Sequence, residues 1–268
     1  RQREVDALGL AWKGRGLAGS WSLYSLLKAR ALYHVDEGGT NEALRSCIAA
    51  LRFLDYSICH RRLSSEAMRH AFLIDIANTM SYVVEEGKPS KELCQAGIRS
   101  LQAVPYWQAM RCAIQGTTYD DMVNLYEKDE ERISRPWRIR EQAKYLRHMT
   151  SFYERLKLVE ESARSGQAWG SSMEEVAKVY YVENYLGDSV NARVAMDLAM
   201  LRLAQPIINH RSMGAKTSVK EIPNELVALR HRLDPWSGAS YRAEEQKSKI
   251  KFYSIGKEKT KVFYPTHK

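Results

Sequence analysis

Along most of the chain, apolar residues return every three or four positions, and short stretches holding glycine, proline or serine interrupt them. That period predicts a succession of amphipathic helices joined by short loops. A brief helix is expected over residues 4–12, ended by the glycines of KGRGLAGS. Ser20 then reads as the N-cap of a helix carrying Trp21, Leu23, Tyr24, Leu26, Leu27, Ala31 and Leu32, which DEGGT (36–40) breaks. NEALRSCIAALRFLDYSICHRR follows, with Leu44, Ile48, Leu51, Leu54, Tyr56 and Ile58 on its apolar face. Two helices joined by a glycine turn, with alanines where they would cross, make an antiparallel hairpin.

The next helix is LSSEAMRHAFLIDIANTMSYVVEEG, with Ser64 or Ser65 as its cap and Glu66 in its first turn, where a negative charge suits the helix dipole. Ser90 caps another, and Pro105 stands near the first turn of VPYWQAMRCAIQG. Gly116 closes that element, so TTYDDMVNLYEKDEERI (117–133) is read as separate. Ser134, with Pro136 close behind, opens a long helix to residue 166, and 171–186 forms one more. Residues 188–205 hold the clearest stripe, Val190, Val194, Leu198, Leu201 and Leu203 among small alanines. Such a helix is buried on more than one side, and Pro206 should bend or interrupt it. A loop and a short helix starting near Pro223 or Asn224 follow.

At DPWSGASYRAEEQKSKIKFYSIG (234–256) the period changes to two. Asp234–Pro235 initiates a turn, Gly238 supplies a positive φ, and Trp236 offers a large apolar anchor. Tyr241, Ile250, Phe252 and Ile255 then alternate with polar neighbours, and VFYP (262–265) could add a third strand. So small a sheet must cover its apolar face with a helix, and the 188–211 helix is nearest in sequence. The expected fold is therefore mainly α: a repeat-like, tetratricopeptide-like antiparallel helical bundle, with a small C-terminal antiparallel β-sheet packed on a long helix. No strict ~34-residue period runs through the body. Two parts are expected, a helical body over 1–187 and an α+β module over 188–268.

Charge sharpens that division. The chain has 268 residues, 44% hydrophobic, and a net charge of +9. Residues 211–268 hold 13 Lys/Arg against 6 Asp/Glu, and the rest of the chain is nearly neutral. The lysines at 247, 249 and 251 alternate with Ser248 and Ile250, as on the solvent face of a strand, which favours a solvated edge over a phosphate-binding stripe. No apolar run reaches the roughly 18–20 residues of a membrane span, and RQREVDALGL has no signal-peptide core. The absence of an initiator Met leaves room for an upstream signal or anchor.

The candidate chemistry is sparse. Cys47, Cys59, Cys94 and Cys112 form no CxxC pair and have no histidine at metal-ligand spacing, so buried free thiols are expected, with disulfides open in an oxidising compartment. The histidines at 34, 60, 70, 148, 210, 231 and 267 are scattered without an HExxH pair. Asp120–Asp121, Glu130–Glu131, Glu160–Glu161 and Glu174–Glu175 are adjacent carboxylates. Neighbours on a helix diverge by about 100°, so these pairs read as solvated faces rather than acid/base dyads. GRGLAGS lacks the lysine and preceding strand of a phosphate loop. Trp12, Trp21, Trp107, Trp137, Trp169 and Tyr180–Tyr181 are assigned to core filling. No catalytic, cofactor-binding or metal-ligating residue is proposed, and no cofactor.

The order of long helix, loop, short helix and a DPW…G…Y/YS-x-G ending resembles the C-terminal part of type II secretion pseudopilins. It is closer still to a group of uncharacterised bacterial envelope proteins that place this ending after a large helical region. The residues that carry the resemblance are Asp234, Pro235, Trp236, Gly238, Tyr241, Arg242, Tyr253, Ser254 and Gly256, and RPWRIREQAKYLRHM looks like that group's middle region. The resemblance implies residence in the cell envelope or periplasm, reached through an upstream signal or anchor, and supplies no activity. Pseudopilins often follow YS-x-G with an acidic calcium loop, whereas KEKTKV (257–262) has one glutamate among three lysines, so no calcium site is expected. The expected function is a non-enzymatic interaction or scaffold protein with a protein partner. The alternatives are an enzyme, such as a hydrolase, with a site between helices, and nucleic-acid binding through the basic C-terminal module.

Overall fold

Helix boundaries fall where packing, more than local punctuation, dictates. The computed structural model describes residues 16–57, 62–127, 135–180, 182–207, 229, 232–246, 249–256 and 261–262. The chain is mainly helical, with a small antiparallel sheet. Its elements are α1 (Gly16–Asp36), α2 (Thr40–Ser57), α3 (Leu63–Glu86), α4 (Lys91–Gln102), α5 (Tyr106–Glu127), α6 (Arg135–Arg164), α7 (Gly170–Val179), α8 (Glu183–Leu186), α9 (Ser189–Ala204), β1 (Arg242–Gln246), β2 (Lys249–Ile255) and β3 (Lys261–Val262). Among the described residues, no helix is long and apolar enough to cross a membrane.

Several expected boundaries move. α1 starts at Gly16 and runs through Gly19, because a glycine costs a helix only about 1 kcal/mol and the packing that follows outweighs it. α5 passes uninterrupted through Gly116. There the Thr118 hydroxyl donates to the Ile114 carbonyl (2.7 Å), and the Leu63 amide donates to the Thr117 hydroxyl (2.9 Å). That second bond also explains the start of α3, where neither Ser64 nor Ser65 caps the helix: Arg62 is the cap residue without a side-chain bond, and Thr117 of α5 takes the free amide instead. Residues 171–186 divide into α7 and α8, because the Val182 amide reaches back to the Ala177 carbonyl and closes the first helix. The buried Tyr180 ring, stacked 4.9 Å from Phe152, holds the chain at the break. Ser90 caps α4 as expected, accepting from the Leu93 amide (3.3 Å), and α9 ends at Ala204, two residues before Pro206. The helix expected over 4–12, the short helix near 223, Ser134 as a cap, and residues 263–265 lie outside the described residues.

α9 is the centre of the molecule. Thirteen of its sixteen residues are buried, and it packs on α3, α4 and β2. Leu44, Leu51, Leu73, Met80 and Ile98 of α2–α4 meet Met196, Met200 and Leu203 of α9 in one core. A second core gathers Met110, Ile114, Phe152, Leu156 and Met173 of α5–α7 around Leu186 and Val190. Val194 and Leu198 then meet Phe252 of β2 in a third, smaller cluster. The boundary expected at 187/188 thus falls just before a helix common to both parts. The strands lie in the order β1-β2-β3, all antiparallel, with Arg242 opposite Tyr253 and Ser254 opposite Val262. The sheet is seated on the long helix through Phe252, as its alternation and anchor residues predicted.

Candidate functional site

The Asp-Pro-Trp-Ser-Gly turn begins as local chemistry. The Asp234 amide donates to the Ala239 carbonyl and the Gly238 amide to the Asp234 carbonyl, both at 2.8 Å. Gly238 adopts φ +65°, the left-handed region where a side chain is strained. A Cβ there would also come 2.9 Å from the Ala168 amide nitrogen. The turn docks on the α6–α7 loop. The Pro235 carbonyl accepts from the amides of Trp169 (2.9 Å) and Gly170 (2.8 Å), two of the unbonded donors at the start of α7. The Trp236 indole lies flat over Gly170: a Cβ on that glycine would sit 2.6 Å from the ring. Trp236 contacts both the second core and the Phe252 cluster.

The Asp234 carboxylate, 1% exposed, joins the two halves of the motif. It accepts from the Trp236 amide (3.1 Å), the Ser237 hydroxyl (3.2 Å) and the Ile255 amide of β2 (3.0 Å). Gly256, next in the chain, is buried, and Tyr253 is buried opposite the exposed Arg242. The structure therefore brings Asp234, Pro235, Trp236 and Gly238 into one clip and ties Tyr253 and Gly256 to it through β2. Tyr241 turns instead toward α9.

There its hydroxyl donates to Asp197 (3.2 Å). Asp197, 2% exposed, also accepts from Arg193 (3.2 Å) and from Arg232. Burial first, then the charges of Asp197 and Asp234, push the Tyr241 phenol well above its ordinary range, so it stays a donor. The Asp197 charge raises Arg193 further. Asp197, Arg193 and Arg232 were not singled out by sequence. For Arg193 and Asp197 the signal was a pair of opposite charges at i and i+4 inside a largely apolar helix; Arg232 carried none.

A third buried group lies one layer deeper, on α3. Glu66, Arg69 and His70 are at most 4% exposed. The Glu66 carboxylate accepts from Arg69 Nε (2.8 Å) and Nη2 (2.5 Å), and His70 Nε2 lies 3.1 Å from it. Burial works to raise its pKa, but the bonded Arg69 guanidinium, with His70 close by, prevails and holds it at about 2. Tyr106 of α5 packs its ring 5.7 Å from His70 and donates to the Ser189 carbonyl at the start of α9 (2.6 Å). Burial raises the Tyr106 phenol, and Arg193, Glu66 and Arg69 all act on it electrostatically. Three buried carboxylates, one buried guanidinium (Arg69) and two half-buried ones (Arg193 and Arg232) thus lie along α3, α9 and the terminal turn.

The remaining candidates separate. Asp120 pairs with Arg62 (2.5 Å) while Asp121 accepts from the Tyr145 hydroxyl (2.5 Å). Glu160 is buried between Arg111 and Arg164, a correction to its reading as a solvated face, while Glu161 is exposed. These neighbours diverge, as helix geometry requires. Cys47 and Cys94 are buried free thiols and Cys112 a half-buried one. Burial pushes Cys47 up to about 12 and Cys94 to about 11. Trp107 and Trp169 pack edge-on at 5.1 Å in the core, but Trp137 is 48% exposed on α6, a correction to its assignment as core. His34 is half-buried and His148 exposed. Cys59, His60, His210, His231, His267, Glu130–Glu131, Trp12 and Tyr181 lie outside the described residues, as does the Trp21 side chain.

A cavity of about 260 Å³ between α3 and α8 is lined by Ala67, Glu183, Tyr185, Gly187 and Asp188, smaller than most ligand pockets. The buried carboxylates have chemistry of a different kind. Glu66 is held ionised and accepts twice from the Arg69 guanidinium, and Asp197 accepts from three side chains. The lone pairs of a carboxylate so occupied are already engaged. The arrangement fastens elements together. It defines a mainly helical protein whose C-terminal turn and sheet are clipped onto its central helix. Comparison with known proteins finds no protein family, no curated protein and no solved structure that matches this chain.

Proposed function

We propose that the chain is a non-enzymatic interaction or scaffold protein of the bacterial cell envelope: a repeat-like helical body closed at one end by a pseudopilin-like module. The observation that carries this reading is the clip. The residues that resemble the envelope-protein ending are engaged in holding the module to the body: Asp234 to β2, the Pro235 carbonyl to α7, Trp236 to Gly170. Motif residues used in this way support a role for the module as a rigid end-piece. The body is read as a succession of helical hairpins, α1–α2 and α5–α6 among them, with α9 crossing back onto α3 and α4 to close the array.

On that scaffold, α1 offers the surface for a protein partner. Leu23, Leu26, Ala29, Arg30 and Tyr33 are all exposed and fall on one side of the helix, with Leu26 67% and Tyr33 61% exposed. The test is an affinity capture from envelope extract, comparing the wild-type chain with Leu26→Glu/Tyr33→Glu. A protein held reproducibly by wild type and lost from the variant is expected. A reproducible blank with wild type would overturn the reading.

A further inference from the structure

The N-terminal half of α6 stands apart from the compact cores. From Pro136 to His148, only Glu141, Gln142 and Tyr145 are half-buried among residues whose side chains are described, and the rest are exposed. Buried positions resume at Met149 and continue with Phe152, Leu156, Val159 and Glu160. A helix with one buried side normally turns polar residues outward. This one does not. Pro136, Ile139, Ala143 and Leu146, spaced three, four and three apart, form a single outward strip, with Ile139 57% and Leu146 43% exposed. Beside that strip runs a second, Arg140, Lys144 and Arg147, also exposed. Trp137, 48% exposed, stands at the far edge of the cations. Lys144 is paired with Glu141 (2.6 Å), but among the described residues neither Arg140 nor Arg147 pairs with a carboxylate.

We propose that this outward face of α6, the Ile139/Leu146 strip flanked by Arg140, Lys144 and Arg147, docks on the surface of an anionic lipid bilayer. An apolar strip running beside cations along one helix matches the boundary between acyl chains and negative headgroups, and an indole suits the same depth. A nucleic-acid backbone would engage the cations but leave the aliphatic strip in water, since phosphate contacts rest on charge and polar donors. A second copy of the chain would set these cations against a molecule that carries a net +9. The inference concerns a surface different from α1, and it stands or falls separately from the capture of a protein partner.

The experiment is co-sedimentation of the full chain with vesicles of phosphatidylcholine alone, or of phosphatidylcholine with one-third phosphatidylglycerol, at low and high salt. Each cation near an anionic leaflet contributes about fivefold in partitioning, so three give roughly a hundredfold preference for the anionic vesicles, weakened by salt. Ile139→Glu/Leu146→Glu and Arg140→Glu/Arg147→Glu each remove that binding, with unchanged circular dichroism because all four side chains are exposed. Trp137 emission shifts to the blue with anionic vesicles, and the shift disappears in Trp137→Phe. Equal binding to both vesicle types overturns the proposal. So does wild-type binding by the Ile139/Leu146 variant, which would assign the attraction to the basic C-terminal residues. Displacement of the vesicles by duplex DNA from this same face would show a nucleic-acid surface instead and overturn it too.

Discussion

Asp234→Ala removes the carboxylate on which both halves of the C-terminal motif converge. The turn itself should survive, because the Asp234–Ala239 and Gly238–Asp234 backbone bonds do not involve the side chain. Ser237 is exposed and can turn its hydroxyl to water. The loss therefore falls on the amides of Trp236 and Ile255, which donate to Asp234 at 3.1 and 3.0 Å. Hydrogen bonds to a charged group contribute about 1.5–3 kcal/mol each, and two at the lower end give about 3 kcal/mol. For a chain of this size each kcal/mol lowers the midpoint by about 2–4 °C, so thermal unfolding should fall by about 6–12 °C.

The local readout is amide exchange. The Ile255 amide, which loses its acceptor, should exchange much faster in Asp234→Ala, while amides in the middle of α3 change only with global stability. Asp234→Asn should fall between, since it keeps one acceptor oxygen but turns an N–H₂ group toward donors. Ser237→Ala should cost less than 1 kcal/mol alone and almost nothing on top of Asp234→Ala. A midpoint within about 1 °C of wild type, together with unchanged Ile255 exchange, would refute the clip.

Gly170→Ala places a Cβ 2.6 Å from the Trp236 ring. It should cost about 1–3 kcal/mol in urea unfolding, and much less in a Trp236→Ala background, where the clash is gone. Asp197→Ala leaves Arg193 and Arg232 without their shared partner and should cost about 3–5 kcal/mol, measured the same way. Glu66 is held at about 2 against an ordinary 4.5. Its contribution is thus present above 4.5 and lost as the pH falls from there toward 2, about 3 kcal/mol in all, and the acid slope of urea midpoints should flatten in Glu66→Gln. Burial lifts Cys47 to about 12, so iodoacetamide should alkylate it in the native state far more slowly than the half-buried Cys112, as read by mass spectrometry.

How much of this was legible varied with the range of the interaction. The α9 stripe was plain, because Val190, Val194, Leu198 and their alanine neighbours leave no polar face. The sheet was plain too, since Trp236 and Phe252 are apolar in a segment otherwise rich in charge. Break points were less readable. Gly116 lies inside α5 because α6 packs along it, and Leu63 needs no serine cap because Thr117 of another helix accepts its amide. These are tertiary contacts that no local window contains. Asp197 and Glu66 escaped for the same reason: a carboxylate in a helical stripe becomes a buried anchor only when Arg232 or Arg69 comes to meet it. Trp137 misled in the other direction, since an indole inside a helical period reads as core until its neighbours are known.

The buried charges also bear on how the module finds its seat. α9 presents β2 with the aliphatic side chains of Val194 and Leu198, and Phe252 alone could settle at more than one level along them. Removing an ion from water costs several kcal/mol, and replacing a buried ion pair with well-packed apolar residues is often neutral or stabilising. Stability alone therefore does not explain why Asp197, Arg193 and Arg232 lie in this interface. Position does. A slip of one helical turn would carry Asp197 about 5.4 Å from its partners, leaving the buried carboxylate without Arg232 and Tyr241. The same slip would pull the Pro235 carbonyl and the Trp236 ring off Gly170. Apolar contact between Phe252 and α9 supplies the attraction, and the bonds of Arg232 and Tyr241 to Asp197, with the turn on Gly170, favour one register.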